Sequence, residues 1–292
     1  MILHSIAAAT AYVNFNDLGL DPVMVHLGPL PIRWYSLAYI VGIFTAYWLA
    51  GRMCRQPGAP MTERHLDDLL FFAMLGVIGG GRLGYVLFYG LADYLADPVS
   101  ILKLWDGGMS FHGGVVGVML AITWVCRRST PRLSFLRVCD YIATVMPVGM
   151  FLGRLANFVN GELWGRATTV PWAIIFPESG SMDPRHPSQL YQAGTEGLLM
   201  FAILTYVFWR TDARYYPGRL FGLCCVGLGL SRFTMEFVRQ PDAQLSEFAA
   251  QTHLSMGQWL TIPFILLGVW LVWSSAGRRT RVEPFAGTQS VS

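Results

Sequence analysis

Arg33, Arg82, Arg154 and Arg232 fall inside or at the edge of long apolar runs. An arginine at mid-bilayer costs at least about 2.5–3.5 kcal/mol, so such a residue usually faces a polar cavity and meets a partner. Arg33 stands at the edge of its run and can snorkel to the interface. Arg82 lies among Gly79, Gly80, Gly81 and Gly84, which permit close helix approach. It reads equally as a tie between helices or as a functional charge. Arg154 opens a polar string, G153-R-L-A-N-F-V-N-G-E162, in which Asn157 shares its helical face and Asn160 and Glu162 follow at once. Helical spacing puts Arg232 on one face with Glu236 and Arg239. That pair is either a salt bridge that only neutralises the helix, or a device that holds Arg232 in one rotamer for a ligand. A guanidinium stays charged in any surroundings and offers a planar fork to phosphate. In a membrane, the simplest phosphate-bearing anion is a phospholipid headgroup.

Two further side chains belong with the arginines. His112 lies in W105-D-G-G-M-S-F-H-G-G114, flanked by glycines at a span entrance. It is either a hydrogen-bonded core histidine or the best available proton acceptor in the chain. Tyr35 sits beside Arg33, at the same outer level as Arg154. The six histidines show no H-E-x-x-H and no paired spacing, and no G-x-S-x-G elbow occurs. The five cysteines show no C-x-x-C. No metal site is expected.

The elements that must carry these residues are membrane helices. The chain has 292 residues, of which 53% are hydrophobic and only 13% charged, with a mean hydropathy of +0.43. A soluble domain averages about 25% charged residues. Lys103 is the single lysine. That leaves no polybasic tract for nucleic acid and no phosphate loop for ATP-driven transport. Crossing a bilayer takes about 20 apolar residues. Seven candidate spans follow: 33–50, 67–89, 112–126, 139–157, 188–209, 219–238 and 257–275. Alternate loops hold 13 arginines (Arg52, Arg55, Arg64; Arg127, Arg128, Arg132, Arg137; Arg210, Arg214, Arg219; Arg278, Arg279, Arg281) against four cations (Lys103, Arg166, Arg185, Arg239). The positive-inside rule then places the N-terminus outside and the C-terminus inside. No basic region precedes the weak apolar start, so no cleaved signal peptide is expected. Residues 1–32 form a mildly apolar outside segment, 90–111 an external arm and 158–187 a small cap, in which the β-prone V170-P-W-A-I-I-F176 suggests a strand pair. The fold class is therefore an all-α polytopic membrane protein with a small external cap: one transmembrane domain over 1–275 and a polar tail over 276–292.

The stretch G153-R-L-A-N-F-V-N-G-E-L-W-G165 resembles the signature G-R-x-[GA]-N-F-x-N-x-E-x-x-G of the prolipoprotein diacylglyceryl transferase family, and fits it at every fixed position. Further matches run through W34-Y35, G80-G-R-L-G-Y-V-L-F-Y89, W105 to G114, R185-H-P-S-Q-L-Y191, R232-F-T-M-E-F-V-R-Q-P-D242 and S255-M-G-Q258. Gln192 stands where the family often has Glu, with Glu196 one turn later; Ser36 and Leu228 also depart from the pattern. The resemblance implies transfer of the diacylglyceryl group of phosphatidylglycerol to the lipobox cysteine of prolipoprotein signal peptides. The product is a thioether, and glycerol phosphate leaves. In that chemistry Arg154 and Arg232 hold the phosphate and His112 accepts or relays the thiol proton. Tyr35, Asn157, Asn160, Glu162, Glu236 and Arg239 position headgroup and arginines, and Gly165 gives backbone room. The family further implies a monomer in the bacterial inner membrane, working towards the periplasm with no cofactor. The alternative from the residues alone is a transporter or binding protein for an anionic headgroup, though no repeat of the transporter kind is visible.

Overall fold

In the computed structural model, residues 12–240 and 254–279 are described. Each of the seven apolar runs is helical. The helices are α1 (Trp34–Cys54), α2 (Glu63–Tyr89), the short α3 (Leu91–Ala96), α4 (Phe111–Arg128), α5 (Phe135–Val159), α6 (Ser188–Gln192), α7 (Met200–Arg210), α8 (Arg219–Met235) and α9 (Met256–Ser274). A π-helical segment, Ala193–Leu199, joins α6 to α7 without a break. Among the described residues, four stretches are long and apolar enough to cross a membrane: Trp34–Cys54, Glu63–Tyr89, Phe135–Val159 and Gly257–Arg278. Phe44, Phe88, Leu120, Leu266 and Trp273 are all more than half exposed. An apolar surface of that extent needs an apolar phase to cover it. This is a helical membrane protein.

The all-α expectation is too narrow. Residues taken for an outside loop form a hairpin of β2 (Val23–Leu27) with β3 (Leu30–Arg33), closed by Gly28 and Pro29. Gly28 has φ +61°, which a two-residue turn with glycine first requires. In the cap, the expected strand pair is present: β4 (Ile174–Ile175) runs antiparallel to β5 (Pro184–Arg185), and β1 (Val13–Asn14) adds to β4 in parallel. Helix α8 also stops earlier than the span read from sequence, so Arg239 does not continue the helical face of Arg232. Residues 280–292, most of the expected polar tail, lie outside the described residues.

The chain divides into two compact units. The first takes residues 1–46, 144–209 and 222–272. Within it the cap is held to the end of α5 by an aromatic cluster, in which the Phe15 ring lies 5.7 Å from Phe158 and 5.3 Å from Phe176. The second unit takes residues 47–143, 210–221 and 273–292. Its centre is a glycine seam between α2 and α4. A Cβ on Gly117 would lie 1.9 Å from the Gly76 carbonyl, and one on Gly84 2.7 Å from Gly113 Cα, so only hydrogen fits there. Arg82, 3% exposed, resolves in favour of a tie. Its guanidinium donates to the carbonyls of Ser100 at 2.7 Å, Ile101 at 2.8 Å, Lys103 at 3.1 Å and Gly108 at 3.2 Å, and also to Gly107. The arm 90–111 is thus wound around one buried cation.

Candidate active site

Arg154 sits in the last turns of α5 within the first unit. Beyond Val159 the chain reverses through two left-handed residues, Gly161 at φ +65° and Leu163 at φ +58°. A leucine in that region is strained, and such strain persists only where its surroundings impose it. Here Ser188 Oγ donates to the Leu163 carbonyl at 2.9 Å, and Gln189 Nε2 to the Glu162 carbonyl at 2.5 Å. Ser188 and Gln189 are both completely buried. The reversal turns Glu162 back onto α5, where its Oε1 accepts from Asn157 Nδ2 at 2.8 Å. The same amide donates to the Tyr35 hydroxyl at 2.5 Å. Tyr35, Asn157 and Glu162 therefore form one hydrogen-bonded chain at the end of α5. Asn160 closes the helix through its backbone, while its side-chain oxygen is buried without a hydrogen-bond partner among the described residues.

Both arginines carry a carboxylate. Arg154 Nη2 lies 3.3 Å from Glu196 Oε2, and Arg232 Nη2 lies 3.1 Å from Glu236 Oε2. The second pair makes an ion pair by distance, but Glu236 Oε2 lacks hydrogen-bond geometry. Glu236 is backed by Gly257, where a Cβ would come within 3.0 Å of its carboxylate. Gln258 donates to the Phe233 carbonyl at 3.3 Å, so the S255-M-G-Q258 motif fastens the end of α8. Ser231 Oγ donates to Thr195 Oγ1 at 2.7 Å, which ties the residue before Arg232 to the residue before Glu196. Both arginine–carboxylate pairs thus belong to one unit and are joined through neighbouring side chains.

Gly165 and Arg239 meet through their backbones in an antiparallel bridge. A Cβ on Gly165 would lie 2.5 Å from the Val238 carbonyl and 2.8 Å from His186 Cβ, so no side chain fits. The Arg239 carbonyl accepts from Arg166 Nε at 2.8 Å. His186, in the cap, is kept below its ordinary pKa by burial. Its Nδ1 is 3.2 Å from the Tyr191 hydroxyl, which accepts from Trp172 Nε1 at 2.6 Å. His112 belongs to the second unit. It is exposed in the first turn of α4, one residue past the Phe111 start, with Ser110 as the cap accepting from Gly113 N at 3.3 Å. The charged partner that the sequence left unassigned is Glu196, noted there only as standing one turn beyond Gln192. Ser188 and Gln189 were visible in the R185-H-P-S-Q-L-Y191 motif, without their role.

The sequence has known counterparts. The family model described as prolipoprotein diacylglyceryl transferase matches residues 22–274, which include every residue of the site. The chain belongs to the prolipoprotein diacylglyceryl transferase family. Among the family's members, a phosphatidylglycerol--prolipoprotein diacylglyceryl transferase of Erythrobacter litoralis is 54% identical over 277 residues, 95% of this chain and 97% of its own length. One so named from Zymomonas mobilis is 52% identical over 276 residues, 91% of this chain and 94% of its own length. Another, from Rhodospirillum rubrum, is 52% identical over 252 residues, 86% and 90% of the two chains. Likeness at that level and coverage spans both compact units, so family membership applies to the whole membrane protein and not to the signature loop alone.

Proposed function

We propose that this chain transfers the diacylglyceryl group of phosphatidylglycerol to the lipobox cysteine of prolipoproteins. The observation that carries the reading is the pair of arginines, Arg154 and Arg232, each held by a carboxylate in one unit of a member of this transferase family. The cysteine thiolate attacks the glycerol carbon that bears the phosphate ester. A C–S bond forms, the C–O bond to phosphate breaks, and glycerol phosphate departs with the electron pair. Arg154 and Arg232 offset the charge that gathers on the leaving phosphate, the site where fixed cations lower a barrier most. A free thiol has a pKa of about 8.5, so it needs a proton acceptor at neutral pH. His112 fills that role. Tyr35, Asn157 and Glu162, joined by hydrogen bonds, orient the headgroup, with Asn160, Gly165, Glu236 and Arg239 maintaining the shape of the site. A transporter or simple binding protein for anionic lipid is not favoured by the family.

In this reading residues 1–275 act as one catalytic domain of a monomer in the bacterial inner membrane. All seven helical stretches span, N-terminus out and C-terminus in, with the signature loop towards the periplasm. The 13:4 cation bias supports that orientation; a reporter fused after Arg278 should read cytoplasmic, and an external signal would overturn it. The deciding experiment for the activity mixes purified protein in detergent with phosphatidylglycerol and a lipobox peptide. The peptide should gain the mass of one diacylglyceryl group. An unchanged peptide mass refutes the reading.

A further inference from the structure

The two arginine–carboxylate pairs differ in kind. Glu236 is four residues from Arg232 on the same turn, so sequence alone keeps that pair together. Glu196 reaches Arg154 from another element, 42 residues away, across 3.3 Å. It is 2% exposed, and its Oε1 is buried with no hydrogen-bond partner among the described residues. A buried carboxylate normally collects two or more short, charge-assisted donors. One contact at 3.3 Å is at the long end of the range. The carboxylate is under-satisfied, yet the backbone that carries it is firmly held. Thr195 receives a hydrogen bond from Ser231 at 2.7 Å, beside Arg232, and donates to the Tyr191 carbonyl at 2.9 Å. Gly197 is pressed onto Phe151, where a Cβ would come within 2.6 Å. Both neighbours of the glutamate are thus fixed, and the π-helical winding of Ala193–Leu199 sets which way it faces. The result is an anchored counter-ion on a weak contact.

We infer that Glu196 is a positioning residue: the resident counter-ion that the lipid phosphate displaces from Arg154, and whose return to Arg154 helps expel the glycerol phosphate product. The inference rests on the reading of Arg154 and Arg232 as phosphate ligands. Its logic is one of charge. The phosphodiester of the substrate carries one negative charge. The phosphate monoester that leaves carries about −1.5 to −2 at neutral pH. Two arginines alone hold that product more tightly than the substrate and stall after one turnover. A fixed carboxylate beside Arg154 weakens the binding of both anions, and of the more highly charged product more. Between cycles it also keeps a membrane-buried guanidinium paired, which an empty site otherwise leaves without an anion.

The test compares wild type, Glu196→Gln and Glu196→Asp in detergent. Glutamine keeps the size and an acceptor oxygen but removes the charge. Equilibrium binding of labelled glycerol phosphate should tighten by about tenfold or more in Glu196→Gln, the scale of one unit charge acting at contact range in a partly screened site. In the transfer assay, KM for phosphatidylglycerol should fall, kcat should fall with it, and the first turnover should survive as a burst. Glu196→Asp retains the charge at shorter reach, and should restore kcat and loosen glycerol phosphate binding back towards wild type. A residue with only a structural role loses the first turnover and binds the product no tighter. Unchanged or weaker product binding in Glu196→Gln overturns the inference, as does a Glu196→Asp protein that binds product as tightly as the glutamine variant. Should Glu196→Gln fail to fold, Glu196→Ala also removes the charge: glycerol phosphate binding tighter than wild type supports the exchange, and equal or weaker binding refutes it. Wild type that transfers nothing counts against the transferase reading, while the binding comparison still decides this one.

Discussion

Arg82 offers a measurement that needs no substrate. Its guanidinium feeds five carbonyls between Ser100 and Gly108, one of them that of Lys103. Lys103 is also the only lysine in the chain, so a lysine-specific endoprotease has one site. Cleavage there gives fragments of 103 and 189 residues, since 292 − 103 = 189. The scissile carbonyl is itself one of the Arg82 acceptors, at 3.1 Å. Replacing Arg82 by Met keeps an apolar stem and removes every donor. Each carbonyl left buried and unpaired costs about 1–3 kcal/mol, although those that reach water lose little. Breaking one buried charged contact costs about 3–5 kcal/mol. Taking the lower end, about 3 kcal/mol, and a factor of ten for each ~1.4 kcal/mol, the arm should open about 100-fold more often. When opening is fast relative to cleavage, proteolysis follows that open population. The expected result is roughly 100-fold faster appearance of the two fragments from Arg82→Met than from wild type in the same detergent, read by gel or intact mass. Rates within about threefold of each other refute the claim that Arg82 holds the arm, because so small a change corresponds to well under 1 kcal/mol.

Three further outcomes are expected. Arg154→Lys and Arg232→Lys should each lose about 10²–10³ in transfer rate, because a point-charge ammonium cannot reproduce the fork; Arg166→Ala, whose Nε only braces the Arg239 carbonyl, should lose less. Near wild-type turnover in Arg232→Lys reduces that residue to a partner for Glu236. His112→Gln should still bind lipid yet turn over slowly at pH 7, and should recover partly as pH approaches the thiol's own pKa of about 8.5; normal turnover at pH 7 removes the histidine from the mechanism. Gly117→Ala should lower stability by about 1–3 kcal/mol, because the new methyl meets backbone that no rotamer can move; an unchanged melting temperature in detergent contradicts the seam.

Most of the helical framework was legible because apolar runs of membrane length have few other solutions. The strand pair in the cap was legible from β-branched residues at 170–175 bounded by prolines. The hairpin was not, although Leu27-Gly28-Pro29-Leu30 carries a two-residue turn signal with glycine first. Its alternation is masked by apolar residues on both faces, and Val25, Leu27 and Leu30 are all exposed. That Asn157 shares a helical face with Arg154 was legible from spacing, whereas the roles expected of Tyr35, Asn157 and Glu162 came from the family resemblance. Glu196 was not legible, because the helical wheel assumes a constant pitch and the π segment breaks it. Arg82 could not be resolved from sequence at all. A buried arginine that binds backbone carbonyls leaves no acidic partner to find.

The seam between α2 and α4 also ties the position of His112 to the bilayer. Elsewhere in a protein, side chains change rotamer and absorb a shift of one helix against another. Between Gly76, Gly80 and Gly84 on one side and Gly113 and Gly117 on the other there is nothing to absorb it. The Ser110 amide is further pinned to the Gly81 carbonyl at 2.8 Å, two residues before His112. The height of His112 in the membrane is therefore the height of α2. A long apolar helix answers a thinner membrane by tilting, and α2, with 27 residues, has length to tilt. Membrane thickness thereby becomes a variable that moves the imidazole we propose as proton acceptor, with no loop or lid between it and α2.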